Sequence, residues 1–263
     1  MKTIFITGAS TGLGKATAEL FQQQGWKVIA TMRQPEGSSL AQLDNVTVLP
    51  LDVTNPAQIR STVDQAIQLG VDVVFNNAGY GLMGPMEGFN DEQLTRQLDT
   101  NLLGVLRVTQ AFIPYFREKK SGLFITTTSM GGFLTFPLSS VYHATKFALE
   151  GWSESLAYEL SLFNIGVKTV APGGIVTDFA GRSLDMLSHP AYDDTSKKVW
   201  ALFDVNNFSS AAQIAAVVYE AATDGKDQVR YVAGKDAQSL YARRLEIGAE
   251  AFRKELGKSI LGV

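Results

Sequence analysis

Lys2-Thr3-Ile4-Phe5-Ile6-Thr7-Gly8-Ala9-Ser10-Thr11-Gly12-Leu13-Gly14 is the stretch that decides the fold. Its first half, Lys2 to Thr7, is a short apolar run that stops at a glycine, as a buried strand does. Its second half spaces three glycines as G-x-x-x-G-x-G and leads into a helix from about Gly14 to Gln24, closed by Gly25. Glycines between a strand and a helix let the backbone turn tightly and approach a pyrophosphate. The helix N-terminus adds free amides and positive partial charge. Gly8, Ser10, Thr11, Gly12, Leu13 and Gly14 are therefore candidates for the phosphate side of a dinucleotide site.

The alternation continues downstream. Lys27 to Met32 and Val46 to Leu51 read as the second and third strands, the latter followed by Asp52. Asn55 caps a helix with Pro56 at its first position, running to about Leu69. Val71 to Phe75 is a fourth strand and meets Asn76-Asn77-Ala78-Gly79. A long helix covers about Asp91 to Phe116, and Leu123 to Thr128 is a fifth strand ending at Ser129. A second long helix spans about Ser140 to Asn164, and Val167 to Ala171 is a sixth strand broken by Pro172-Gly173-Gly174. Ser210 starts a helix to Thr223, Val229 to Val232 is a seventh strand, and one amphipathic helix, about Gln238 to Leu256, follows. The strands are continuous apolar runs, the pattern of a parallel sheet buried on both faces. With right-handed crossovers this is an α/β, doubly wound sheet of about seven mostly parallel strands with helices on both faces. No repeat or linker interrupts it, so residues 1–263 read as a single domain.

Composition narrows the function classes. A net charge of −3 without any basic stripe argues against nucleic acid as a partner. The chain has no cysteine, which excludes disulfides and thiolate chemistry, and only two histidines, His143 and His189, far apart, so no metal site is expected. Met1 to Ile6 reaches Gly8 too soon to be a signal peptide, and no run of eighteen apolar residues suggests a membrane span. The expectation is a cytoplasmic protein with no membrane partner.

Tyr142-His143-Ala144-Thr145-Lys146 lies on the second long helix. A spacing of four puts Tyr142 and Lys146 on one face, where the cation is expected to favour phenolate and lower the tyrosine pKa. In an open parallel sheet a ligand lies beyond the carboxyl ends of the strands. The glycine turn, Asp52, Asn77, Ser129 and Pro172 all follow strand ends, so the fold gathers them on one edge. The second strand ends Ala30-Thr31-Met32-Arg33 without an acid for a ribose 2′-hydroxyl, and Glu36 follows Pro35 and turns away. Arg33 can offer a planar fork to a 2′-phosphate and Thr11 a hydroxyl, which favours NADP(H) over NAD(H). His143 points elsewhere than Tyr142 and reads as a structural or rim residue.

Taken together, the glycine turn, Asn76-Asn77-Ala78-Gly79, Ser129, Tyr142, Lys146 and Pro172-Gly173 resemble the single-domain short-chain dehydrogenase/reductases. The likeness covers roughly residues 3 to 180 strongly, and Met32-Arg33, the run 147–151 and the segment 230–236 look most like hydroxysteroid and retinol dehydrogenase-like members. The resemblance implies a Rossmann-type fold and an oxidoreductase that transfers a hydride between NADP(H) and a ketone or secondary alcohol. It implies that Ser129 binds the substrate oxygen, Tyr142 passes the proton, Lys146 holds the ribose hydroxyls, and Asn101 supports a water on the proton path. It places Asp52 and Val53 at the adenine, and adds Asn77, Ala78 and Gly79 to the cofactor site. Pro172, Gly173, Ile175 and Thr177 fall at the carboxamide. It also implies a homodimer or homotetramer.

A lid is expected over about residues 178–208, with Phe179, Leu184, Met186, Leu187, Tyr192, Val199, Trp200, Leu202 and Phe203. Tyr80, Leu82, Met83, Met130, Leu134, Phe136 and Leu138 would face it; no arginine or lysine stands out as an anchor for an acid or phosphate, and Arg182, the nearest candidate, reads as a surface charge. A neutral apolar ketone or alcohol fits such a wall. The alternatives are a non-catalytic NADP(H)-binding sensor or scaffold on the same fold and, ranked below it, a sugar-nucleotide epimerase.

Overall fold

The structure, a computed structural model, describes residues 1–176, 183–201 and 205–262. The chain begins β1 (Thr3–Ile6), α1 (Gly12–Gln23), β2 (Lys27–Met32), β3 (Val46–Pro50), α2 (Pro56–Gln68) and β4 (Val73–Asn76). The middle holds β5 (Gly81–Met83), α3 (Asp91–Leu98), α4 (Gly104–Lys119), β6 (Gly122–Thr127), α5 (Ser140–Ser161) and β7 (Ile165–Pro172). Then come β8 (Ile175–Val176), β9 (Leu184–Met186), α6 (Asp193–Trp200), β10 (Ser209–Ser210), α7 (Ala211–Thr223), β11 (Arg230–Ala233), α8 (Lys235–Ile247) and α9 (Ala249–Leu261).

Seven strands form one sheet in the order β11-β7-β6-β4-β1-β2-β3. Every pairing in it is parallel. The chain adds strands outward from β1 in one direction, returns to β1's other edge with β4, and builds the opposite way. The strand order therefore reverses between β1 and β4, where an open α/β sheet leaves a crevice at its carboxyl edge. Alternate side chains serve the two faces. Ile4 and Ile6 join Phe21, Trp26, Ile214 and Val218 on the face of α1 and α7. Phe5 joins Val74, Phe112, Phe116, Phe124, Leu156 and Leu160 on the face of α2, α4 and α5. All four residues of β1 are buried, so both faces of the central strand are dry. A third cluster sets Phe133 and Leu134, just past β6, against Phe252 on α9.

One buried ion pair ties the β7–β11 edge to the end of α7. Lys168 donates to Asp224 (2.7 Å), the Ala221 carbonyl (2.9 Å) and the Tyr231 hydroxyl (3.0 Å). Tyr231 in turn donates to the same carboxylate at 2.6 Å.

Two helices differ from the sequence expectation. The segment expected as one helix from Asp91 to Phe116 is α3 and α4 joined by a π turn at Asp99–Leu103. The final helix is two, because Gly248 adopts φ 82° between α8 and α9. Two short parallel pairs were not foreseen: β5 with β9, and β8 with β10. Among the described residues no helix is long and apolar enough to cross a membrane.

Candidate active site

The glycine turn is held from beneath by the end of β4. The Thr7 hydroxyl accepts the amides of Asn77 (2.9 Å) and Ala78 (3.0 Å), and the Asn77 side chain donates to the carbonyls of Thr7 and Gly8, both at 3.1 Å. Gly8 takes φ +67°, and a Cβ there would lie 2.8 Å from the Ala78 backbone. A Cβ on Gly14 would collide with the Gly8 carbonyl and lie 2.5 Å from the Asn77 amide nitrogen. We expect Gly14→Ala to weaken NADPH binding by about tenfold or more through this overpacking, read by titrating cofactor fluorescence; unchanged affinity would remove the turn from the site. Thr11 is the N-cap of α1 but makes no side-chain cap bond, and the first turn carries no acid. The positive end of α1 thus faces the turn uncompensated by a carboxylate of its own. Ser10 is exposed, and Leu13 packs in the core.

Arg33 stands exposed just past β2. Asp52 accepts the Thr54 amide (2.9 Å) and hydroxyl (2.7 Å) through one oxygen, shaping the entry to α2. Val53 packs beneath Gly104 at the start of α4.

Ser129 follows β6, and its Oγ accepts the Gly131 amide at 3.0 Å. The Ser129 hydroxyl lies near enough to the Tyr142 phenol, across from it on α5, to act on its proton affinity. Burial pushes that phenol above its ordinary pKa, and the nearby Ser129 hydroxyl opposes the rise without cancelling it. The expected influence of Lys146 is absent. Its ammonium lies 5.8 Å from the centre of the Tyr142 ring and donates instead to the Thr127 carbonyl at 2.9 Å. Shared helix face alone does not bring the charge to the phenolic oxygen, so desolvation decides the direction. Lys146 itself is 6% exposed. Burial lowers it to about 8, against the opposing pull of Glu150 one turn on.

Asn101 lies in the π turn, fully buried, and spends its amide on one residue. It accepts the Tyr80 amide at 3.0 Å and donates to the Tyr80 carbonyl at 2.7 Å. Gly79 leaves room for that clasp, since a Cβ there would stand 3.2 Å from the Asn101 oxygen.

At the end of β7, Gly173 donates to the Ala233 carbonyl (3.0 Å) and Gly174 to the Asp236 carboxylate (2.7 Å). A Cβ on Gly173 would collide with that carboxylate. Ile175 pairs with Ser209, which fixes the exit from the turn. Thr177 lies outside the described residues, as do Phe179, Arg182, Leu202 and Phe203. Sequence reasoning missed Thr7 and Asp236 as the anchors of the two turns. A threonine directly before Gly8 and a helix-start Asp after β11 were the available signals.

On the substrate side, β9 pairs with β5, and Arg96 both meets Asp185 and lies 5.2 Å over the Tyr80 ring. Leu82, Leu134 and Val199 are fully buried, so they belong to the packed interior rather than to an open wall. Met186 is 51% exposed, and Tyr80, Met83, Met130, Phe136, Leu138, Leu184, Leu187, Tyr192 and Trp200 are half-buried.

These residues form a glycine-lined edge at the carboxyl ends of the strands, with a serine, a tyrosine and a buried lysine at its middle. The family model described as short chain dehydrogenase matches residues 2–188. An uncharacterized oxidoreductase of Schizosaccharomyces pombe is 35% identical over 86% of this chain and 100% of that one. Retinol dehydrogenase 8 of Bos taurus is 34% identical, over 77% of this chain and 68% of its own. The crystal structure of a short-chain dehydrogenase from Streptomyces avermitilis superposes with a TM-score of 0.85 at 33% identity, covering 98% of this chain and 95% of that one.

Proposed function

The chain belongs to the short-chain dehydrogenase family, and on that premise we propose that it interconverts a neutral, apolar ketone and its secondary alcohol with NADP(H). The observation that carries this reading is the gathering of Ser129, Tyr142 and the buried Lys146 at the carboxyl edge of the sheet, with Lys146 5.8 Å from the Tyr142 ring and bonded to Thr127 at the end of the Ser129 strand. The cradle suits the cofactor: Gly8 and Gly14 leave no space for a side chain, the start of α1 lacks an acid, and the Thr11 hydroxyl makes no cap bond. Gly8 to Gly14 would hold the phosphates, Asp52 and Val53 the adenine, and Pro172 to Ile175, with Thr177, the carboxamide. When bound, the nicotinamide supplies or accepts the hydride at the carbon that bears the oxygen.

Tyr142 gives its proton to the carbonyl oxygen in reduction and takes it back in oxidation. Burial keeps the phenol protonated at neutral pH, the form that reduction consumes. The Ser129 hydroxyl steadies the charge growing on the substrate oxygen. Lys146 has three donors, one engaged by Thr127, and would offer the others to the ribose hydroxyls. Asn101 keeps the 79–80 loop in place beneath the cofactor.

Arg33, exposed at the strand end with no acid beside it in the strand, supports the 2′-phosphate and hence NADP(H) over NAD(H). Arg33→Ala should weaken NADPH by about tenfold or more, the worth of charge-assisted hydrogen bonds, and leave NADH within about threefold. Equal losses for both cofactors would refute the assignment. A ketone and alcohol panel run with both cofactors tests the activity itself, and inertness throughout would overturn it.

Self-association is part of the same proposal. Phe147 and Tyr158 on α5 and Leu162 at its C-cap fall on one side of the helix and are 39%, 80% and 81% exposed. A stripe of that kind suits a second copy of the chain. Light scattering of a purified sample should give a dimer or tetramer mass.

A further inference from the structure

We propose that His143 is a positioning residue that clamps the Ser129 loop to α5 in one neutral tautomer, so that its protonation uncouples Ser129 from Tyr142. This rests on the carbonyl-reductase reading above. His143 is buried and bonded at both ring nitrogens to the backbone of one loop: Nδ1 lies 2.8 Å from the Gly131 carbonyl, and Nε2 lies 3.0 Å from the Phe136 amide. A carbonyl can only accept and an amide can only donate. The proton therefore sits on Nδ1 and the lone pair on Nε2. The same loop is closed on Ser129 from within, by Gly131 N–H to the serine Oγ (3.0 Å) and Gly132 N–H to the serine carbonyl (2.8 Å). Thus the residue that follows Tyr142 on α5 fixes the residues that follow Ser129. A Cβ on Gly131 would lie 2.8 Å from Nδ1, so the loop approaches the ring as closely as glycine permits.

A second proton on the ring would have to enter at Nε2, against the Phe136 N–H. Burial opposes it too and holds the imidazole below its ordinary range. Little else bears on its charge. Residues 129–139, packed across from it, contain no charged side chain, and neither does β5. On its own helix the titratable groups are Tyr142, Lys146 and, two turns on, the buried Glu150, which reaches the same loop at Gly132. Neutral His143 is the working form, and it is lost only as pH falls through the lowered value.

The test combines a spectrum with a pH profile. The chain has two histidines, so a 15N imidazole correlation with His189→Gln as the assignment control reads His143 alone. The expected result is an Nδ1–H tautomer that titrates below the ordinary histidine range. His143→Gln can keep one donor and one acceptor but cannot titrate. It should hold kcat at neutral pH within about threefold and lose the acid limb expected of the native enzyme. His143→Leu should lose about tenfold or more in kcat with the NADPH dissociation constant within about twofold, because two backbone groups lose their partner. The opposite tautomer, native kcat in His143→Leu, or an unchanged acid limb in His143→Gln would each overturn the clamp. The tautomer measurement needs no turnover: a protein inert on every substrate would overturn the proposed activity, while the spectrum would still decide the clamp.

Discussion

Tyr142→Phe is expected to cut turnover by at least about a hundredfold, the usual share of a positioned proton donor, while NADPH affinity stays within about twofold. The substitution keeps the ring on α5 and removes only the hydroxyl that faces the Ser129 side of the site. Steady-state rates and a cofactor titration on one preparation separate the two effects, and a fully active variant would sink the mechanism. The native pH dependence follows from the same environment. Burial raises the phenol, so reduction, which consumes the protonated form, should stay level through neutral pH. Oxidation needs the phenolate and should climb as pH rises. Lys146, lowered to about 8, loses its charge over the same alkaline range, which should blunt that climb.

The other large effect is on stability and lies away from the chemistry. Asp224→Ala would leave the Lys168 ammonium buried, with only the Ala221 carbonyl and the Tyr231 hydroxyl beside it. Both side chains of the pair are under a tenth exposed, at 8% and 9%. Removing one partner of such a pair costs about 3–5 kcal/mol, or roughly 10 °C in melting temperature for a chain of this size. Replacing the group together, with Lys168→Met, Asp224→Leu and Tyr231→Phe, should recover most of the loss. The pair holds Asp224 well below the usual carboxylate range. Its contribution is therefore complete above the ordinary carboxylate pKa and is lost as pH falls through the depressed one. Native and Asp224→Ala proteins should differ most at neutral pH and converge in acid. A melting difference under 2 °C at pH 7 would show that the pair contributes little.

The fold was legible because its central strands are uninterrupted apolar runs. Ile4 to Ile6, Val73 to Phe75 and Phe124 to Ile125 have no polar face to confuse the reading, and their burial makes a parallel sheet the economical outcome. What escaped were features that leave no period in the sequence. The β5–β9 pairing joins two loops by main-chain bonds over three residues each, and such bonds are indifferent to side-chain type. The π turn at Asp99–Leu103 keeps the helical periodicity running, so a single helix was the natural expectation. At the site, residue identities and strand-end positions were readable, whereas the balance of forces on Tyr142 was not. Spacing shows which face Lys146 shares, not that its Nζ reaches the Thr127 carbonyl. The anchors Thr7 and Asp236 were hidden because each acts on a turn distant in the chain, Asp236 across 62 positions to Gly174.

That distance also sets a clock. The Thr7 hydroxyl is satisfied by Asn77, seventy positions later. The glycine turn is among the first segments synthesised and must wait for β4 before it can take shape. At about 5–20 residues per second, a growing chain spends roughly 3–13 s with the turn's sequence complete and its support missing. The turn at Pro172 waits in the same way for residue 236. Throughout that time β1 has an open edge where β4 will pair, and such an edge is sticky to other chains. A nascent chain stalled after β3 would carry the whole glycine turn without the Asn77 and Ala78 amides that hold it from beneath. The two turns proposed to hold the cofactor are thus completed late, the second only once Asp236 at the start of α8 has been made.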